Sequence, residues 1–217
     1  MDRRTLLATA GTGVVALAGC TSLDGGGSGG QSLSEHPAGR VLADQPTLGD
    51  TAGGTAIVAF EDPSCTQCRR FEQNTLPQIR SKLVAQEKAA FVYRGLPIIY
   101  EWGKPATRIL ESAYDASADA FWALKSHYYD EQDAFSTDNV ADCSRTFLAE
   151  ETSVDAEPAV SAAQSGEYDP PVETDLAVGE ELGINGTPTC YLFRDGEFQT
   201  TVNGPQGYDV FAAGLGY

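Results

Sequence analysis

Two cysteines set two residues apart, Cys65-Thr66-Gln67-Cys68, stand between a run of β-formers and a helical stretch, and they constrain this chain more than any other feature. Thr55–Phe60 (TAIVAF) predicts a short buried strand. From about Cys65 to Gln86, Phe71, Leu76, Ile79 and Leu83 recur near helical spacing, and Pro77 is expected to kink or split that helix. Cysteines three apart on a helix share a face, with Cβ atoms about 5–6 Å apart, and a small adjustment brings them within disulfide range. The first thiol lies among the unpaired N–H groups of a helix start, at the positive end of its dipole. Arg69 and Arg70 add positive charge nearby. Such surroundings lower a thiol pKa to roughly 3.5–7.5 and favour the thiolate, the form that attacks disulfides. Cys68 is then within reach to resolve a mixed disulfide.

A CxxC also reads as half of a zinc site. A zinc site wants a second pair, whereas Cys143 and Cys190 stand apart and the only histidines are His36 and His127, so no metal is expected. A purely structural Cys65–Cys68 disulfide would close too short a loop to constrain the unfolded chain much. Cys143 and Cys190 are read as two separate buried thiols, with a second disulfide between them as the alternative.

Downstream, strand and helix alternate. Ala89–Tyr93 predicts a second strand, and Gly103 to about Ala163 reads as helix after helix, with Ile109, Ala113, Ala116, Phe121 and Leu124 on one apolar face. A further helix is expected over about Val172–Leu182, closed by Gly183. Thr189–Arg194 and Glu197–Val202 predict a hairpin turning at Asp195-Gly196, and a short helix over about Gln206–Leu215 ends the chain. Within Gly183–Cys190 (GINGTPTC), Thr187-Pro188 directly before a strand suits a cis peptide at a tight turn. His127 among aromatic residues is read as packing, Asp130–Asp133 as a solvated face, and His36 as a residue without a role.

The N-terminus reads as an address. Arg3-Arg4 precedes an apolar run from Leu6 to Ala18, too short for a membrane span and suited to a Tat-type signal peptide over residues 1–19. The run ends in Leu17-Ala18-Gly19-Cys20, which resembles the lipobox of lipoproteins and predicts lipidation of Cys20. A Gly-rich tether to residue 37 follows. The expected location is the extracytoplasmic face of the cell membrane. With 14 Lys and Arg against 31 Asp and Glu, the net charge of −17 excludes nucleic-acid binding through clustered cations. The same acidic, Lys-poor balance is what a halophilic surface, soluble in concentrated salt, requires. At 217 residues the chain has room for one domain with a sizeable core.

FEDPSCTQCRRFE, NTLPQIRSKL, AFVYRGLP, FWALKSHYY and ELGINGTPTCYLF, in this order and spacing, resemble the DsbA-like thiol-disulfide oxidoreductases of the thioredoxin superfamily. The resemblance runs over residues 38–217. It implies an α/β thioredoxin fold, a central mixed β-sheet flanked by helices, interrupted by a helical insertion at about 103–166. By motif position it makes Cys65 the nucleophile, Cys68 the resolving cysteine, and Thr187-Pro188 the cis-proline turn beside them, with Thr66 and Gln67 as active-site support. It also implies that no cofactor is needed beyond the redox-active disulfide. The implied partners are exported proteins with cysteines, and a membrane quinone-linked thiol oxidase for recycling. Three positions depart from the pattern: Thr66-Gln67 replaces Pro-His, Ala59 stands where an acidic residue precedes the first cysteine by six, and Cys190 follows the proline turn where an aromatic residue is common. Glu61 or Asp62 could relay protons in place of the missing acid, or be exposed loop charges. The function expected is a membrane-anchored dithiol oxidase. The alternatives are a disulfide reductase or isomerase, a copper-binding lipoprotein, and a redox-silent adhesion or chaperone domain; the loss of the only methionine, Met1, with the signal argues against copper.

Overall fold

The computed structural model describes residues 31–217; the expected signal segment, the Cys20 lipidation site and most of the tether lie outside the described residues. The strands are β1 (Thr47–Leu48), β2 (Ala56–Glu61), β3 (Ala90–Gly95), β4 (Thr189–Arg194) and β5 (Glu197–Asn203). The helices are α1 (Thr66–Asn74), α2 (Leu76–Ile79), α3 (Gly103–Ala116), α4 (Ala118–Asp130), α5 (Val140–Glu151), α6 (Ala156–Ser165), α7 (Asp169–Glu181) and α8 (Tyr208–Gly214). The five strands form one mixed sheet in the order β1-β3-β2-β4-β5, with β2 and β3 parallel and the other neighbours antiparallel.

Every residue of β2 and β3 is buried, as expected of strands covered on both faces. Strand alternation sends Ile57 and Ala59 to the face under α1 and the inserted helices, and Ala56, Val58 and Phe60 to the face under α7. The same alternation places Glu61, the last residue of β2, on the α1 side. The expected helical block is four helices, α3 to α6. Ser117 breaks α3 from α4 and caps the latter, its hydroxyl accepting from the Ala120 N–H at 3.3 Å. Ile109, Ala113, Phe121 and Leu124 are buried as their spacing required, but Ala116 falls at the end of α3 and is exposed. Pro77 splits the first long helix: it occupies the first turn of α2, where a missing N–H costs nothing, and a wide π-helical turn over Arg80–Val84 leads on toward β3. Asp195 and Gly196 both have positive φ, 52° and 85°, the backbone a tight two-residue hairpin requires.

The folded part begins before residue 38. Ser32 bridges Glu197 of β5, and His36 is 8% exposed, stacked on Phe198 at 5.0 Å and against Tyr191 and Phe193. His36 is therefore a packing residue. Arg94 at the end of β3 is fully buried. Its guanidinium donates to the carbonyls of Ala38 (3.1 Å) and Arg40 (2.6 Å) and to Asp175 Oδ1 (2.6 Å), while Asp175 Oδ2 accepts the Gly95 N–H at 3.0 Å. This one ion pair ties the N-terminal segment, β3 and α7 together.

Candidate active site

Strand β2 ends at Glu61, and a three-residue loop delivers Cys65 to the start of α1. The carboxylate of Asp62 sets that loop. Its Oδ1 accepts the N–H and hydroxyl of Ser64 at 2.7 and 2.6 Å, and its Oδ2 accepts the N–H groups of Ile98 and Ile99 at 2.9 and 2.8 Å. The loop after β3 is thereby held against the cysteine loop, leaving Ile98, Ile99 and Tyr100 exposed beside it. Glycine is required at 103, because a Cβ there would sit 2.5 Å from Asp62 Oδ1 and 2.9 Å from Ser64 Oγ. Gln132 completes the frame: its amide donates to the carbonyls of Pro63 (2.7 Å) and Cys65 (3.1 Å). Two expectations change here. Glu61 and Asp62 have no exposed surface, so neither is a loop charge in water, and Gln132 turns inward from a segment read as a solvated face. Only long-range contacts reveal Gln132; nothing in its local sequence marks it.

Cys65 is the N-cap of α1, and Cys68 lies one turn in. Cys65 keeps 4% of its surface exposed and Cys68 none. Both pack against Tyr129 of α4. Thr66 is exposed and Gln67 half-buried, both on the outer side of the turn. The Thr187–Pro188 peptide is cis, and it brings Thr187 to Cys65: the Sγ–H of Cys65 donates to the Thr187 carbonyl at 3.2 Å. The Thr187 hydroxyl is buried without a partner, so it is free to donate once the sulfur ionises. The four positions from 65 to 68 and the Thr187-Pro188 turn, 122 residues apart in sequence at their contact, thus form one site.

The two thiols differ sharply. Cys65 is held at about 6, chiefly by the hydrogen bond from the Cys68 thiol, against the opposing effect of burial. The Thr187 side chain and the N–H groups of Cys68 and Gln67 add to the lowering. Neither arginine is among the groups that lower Cys65, and Arg69 pairs with Asp133 at 2.9 Å. Cys68 is pushed well above the ordinary thiol range by burial, then by Cys65 and by the nearby charge of Glu61. Cys190 lies opposite Ala59 on β4, fully buried, with its thiol also raised by burial. Cys143 is only half-buried on α5, near His127, which stacks on Phe147 at 4.2 Å. Both are free thiols. Among the described residues no three His, Cys, Asp or Glu side chains are grouped to hold a metal ion.

A polar cleft of about 460 Å³ runs along the proline turn, lined by residues that include Asn185, Thr187, Thr189, Tyr191 and Asn203. An extended chain lying there meets the backbone of the Thr187-Pro188 turn, whose Thr187 carbonyl is the group in contact with Cys65. The pattern of the thioredoxin family matches residues 42–209. Disulfide bond formation protein D of Bacillus subtilis is 21% identical over 165 residues, covering 76% of this chain and 73% of that protein. A probable disulfide bond formation protein D of Bacillus cereus is 21% identical over 150 residues, 68% of this chain and 69% of the relative. Among solved structures, oxidised BdbD from Bacillus subtilis superposes with a TM-score of 0.71 at 18% identity, covering 86% of this chain and 97% of that one. Alpha-DsbA1 of Wolbachia pipientis superposes with a TM-score of 0.68 at 16% identity, covering 80% and 90%.

Proposed function

Since this chain belongs to the thioredoxin family, we propose that it is a thiol-disulfide oxidoreductase working as a dithiol oxidase, which passes the Cys65–Cys68 disulfide to exported proteins with cysteines. The observation that carries this reading is the asymmetry of the pair, with Cys65 at about 6 and Cys68 raised far above it. A substrate thiolate attacks Cys65 Sγ, the Cys65–Cys68 bond breaks, and its electron pair goes to Cys68 Sγ, which takes up a proton. A second substrate thiolate attacks the substrate sulfur of the mixed disulfide, and Cys65 leaves as thiolate. At pH 7 a thiol of pKa about 6 is about nine-tenths ionised, and a low-pKa thiol leaves fastest. The substrate gains a disulfide, and the enzyme holds the two electrons until a membrane quinone-linked thiol oxidase removes them. No cofactor other than the disulfide takes part.

Thr187 supports the reaction by presenting backbone groups to an extended substrate and a free hydroxyl to the Cys65 thiolate. Pro188 has no N–H, so the turn offers the sulfur no competing backbone donor. Thr66 and Gln67 form the outer turn, with the Gln67 N–H directed to the thiolate. The chain divides into a Tat-type signal at residues 1–19, a lipidated Cys20 and tether to about residue 30, and the oxidoreductase domain from Gln31 to Tyr217 with its helical insertion at about 103–166. Its acidic surface suits a milieu of concentrated salt, and its lipid holds it at the outer face of the membrane.

Membranes from cells making the wild-type chain should oxidise an added reduced, unfolded secreted protein, while in cells making Cys20→Ser that activity should leave the membrane for the soluble exported fraction. Activity that stays on the membrane in Cys20→Ser contradicts the anchor. No disulfide formation in either preparation contradicts the oxidase.

A further inference from the structure

The chain neighbours of Cys65, Ser64 and Thr66, line a second groove, of about 560 Å³. It shares no lining residue with the cleft along the proline turn. Cys65 therefore lies between two concavities. The Thr187 carbonyl of one accepts its thiol at 3.2 Å, and its own chain neighbours belong to the other. The remaining walls of the second groove come from the segment before α3 and the turn after α4.

We propose that this groove is a substrate subsite for a basic side chain, arginine above all, next to the client cysteine, so that the chain selects cysteines in basic surroundings. The proposal rests on the oxidoreductase reading of the pair and adds the class of client. The groove is aromatic: Trp102 and Phe135 stack at 5.5 Å, and Tyr100 adds a ring that is 58% exposed. Cations are drawn to the faces of such rings, and a guanidinium stacks on them. Two carboxylates of the groove, Glu101 and Asp133, are exposed, and of these only Asp133 is paired, with Arg69 at 2.9 Å. Gln132 also belongs to the lining and is 5% exposed. Its amide nitrogen spends both hydrogens on the carbonyls of Pro63 and Cys65, which makes Oε1 the acceptor left over. That oxygen is buried without a hydrogen bond. Ring faces, a free carboxylate and an unanswered acceptor all call for a positively charged N–H donor. An acidic side chain would be repelled, and a plain apolar one would leave the carboxylate and the acceptor unanswered.

The net charge of −17 draws basic clients from a distance. In concentrated salt that attraction is screened within a few ångström, whereas a groove that touches the basic side chain keeps its preference. A basic neighbour also lowers the pKa of the client thiol, so the subsite favours thiols that are already ionised. The sulfur chemistry is unchanged. The client thiolate bonds to Cys65 Sγ, the Cys65–Cys68 bond breaks, and its electron pair goes to Cys68 Sγ.

The test is the rate at which reduced single-cysteine peptides open the disulfide of the purified full chain at pH 7, in about 1 M potassium chloride, where the Debye length is about 3 Å. Three peptides carry Arg, Ala or Glu on both sides of the cysteine, and the mixed disulfide is followed by mass after acid quench. The Arg peptide should react about tenfold faster than the Ala peptide, the scale of one partly desolvated cation–ring contact, and the Glu peptide should be slowest. Glu101→Lys should cut the Arg-to-Ala ratio to about two and Tyr100→Ser to about three, since each removes one partner of the same cation. Glu173→Lys, an equal change of charge at an exposed site on α7, should leave the ratio at about ten. A ratio taken within one protein cancels any general loss of activity, and comparison between proteins cancels the intrinsic reactivity of each peptide thiol. Equal rates for the three peptides in the wild type, or a ratio that Glu101→Lys and Tyr100→Ser leave near ten, or one that Glu173→Lys lowers as much, overturns the subsite and leaves the oxidase reading standing. A wild-type disulfide that no peptide opens overturns the oxidoreductase reading, and the subsite with it.

Discussion

Cells carrying Cys68→Ser should accumulate mixed disulfides between Cys65 and exported proteins, and cells carrying Cys65→Ser should accumulate none. The expectation follows from the difference between the two sulfurs. At pH 7 Cys65 is about nine-tenths thiolate, whereas Cys68, pushed well above the ordinary thiol range by burial, stays protonated. Cys65 also keeps the only exposed surface of the pair and the contact with Thr187. Without Cys68 the resolving step is lost and the covalent complex persists. In the reduced wild type, iodoacetamide at pH 7 should modify Cys65 about a hundredfold faster than Cys68, since reaction follows the thiolate fraction. Covalent complexes in Cys65→Ser, or faster labelling of Cys68, would reverse the assignment.

Asp175→Ala should destabilise the fold strongly. It leaves the fully buried Arg94 guanidinium without its carboxylate and strips the Gly95 N–H of its acceptor. Breaking a buried pair by removing one partner costs about 3–5 kcal/mol. Glu111 softens the loss. Burial, then the neighbouring Asp175, hold its carboxyl up at about 8 while Arg94 pulls it down, so removing Asp175 eases its ionisation beside Arg94. The expected cost is therefore near the low end, about 3 kcal/mol, or roughly 6–12 °C in Tm for a domain of this size. A thermal melt of the oxidised protein that moves by less than about 2 °C would show that Arg94 does not depend on Asp175.

Much of the fold was legible because its elements are periodic or punctuated. TAIVAF, the Asp195-Gly196 hairpin and the Gly183 helix end carry local signals strong enough to stand without tertiary context. The reactive site was legible in outline, since CxxC at a strand-to-helix junction and Thr-Pro before a strand are both sequence-local. What escaped was set by contacts across the chain. β1 has two residues, too few to show a period, and exists because Thr47 and Leu48 meet Val92 and Phe91. His36 looked like part of a tether because its three aromatic neighbours lie more than 150 residues downstream. Glu61 was ambiguous by its neighbour Asp62, yet strand alternation from Ile57 through Ala59 already pointed it to a buried face. Lys125 offered a similar clue: it falls on a helix face with Phe121, Leu124, Tyr128 and Tyr129, all buried. A lysine there requires carboxylate partners, and only the folded chain shows that they come from β2 and α1.

The equilibrium of the Cys65–Cys68 pair with glutathione tests the central claim most directly. A stabilised Cys65 thiolate favours the reduced enzyme, and so makes its disulfide a ready donor. Held in glutathione buffers of graded ratio at pH 7, the pair should interconvert as one two-electron couple, with a potential more positive than about −200 mV, on the side of dedicated oxidants. A potential at or below about −270 mV would place the chain with reductases, and a pair that does not exchange with glutathione at all would contradict a redox role.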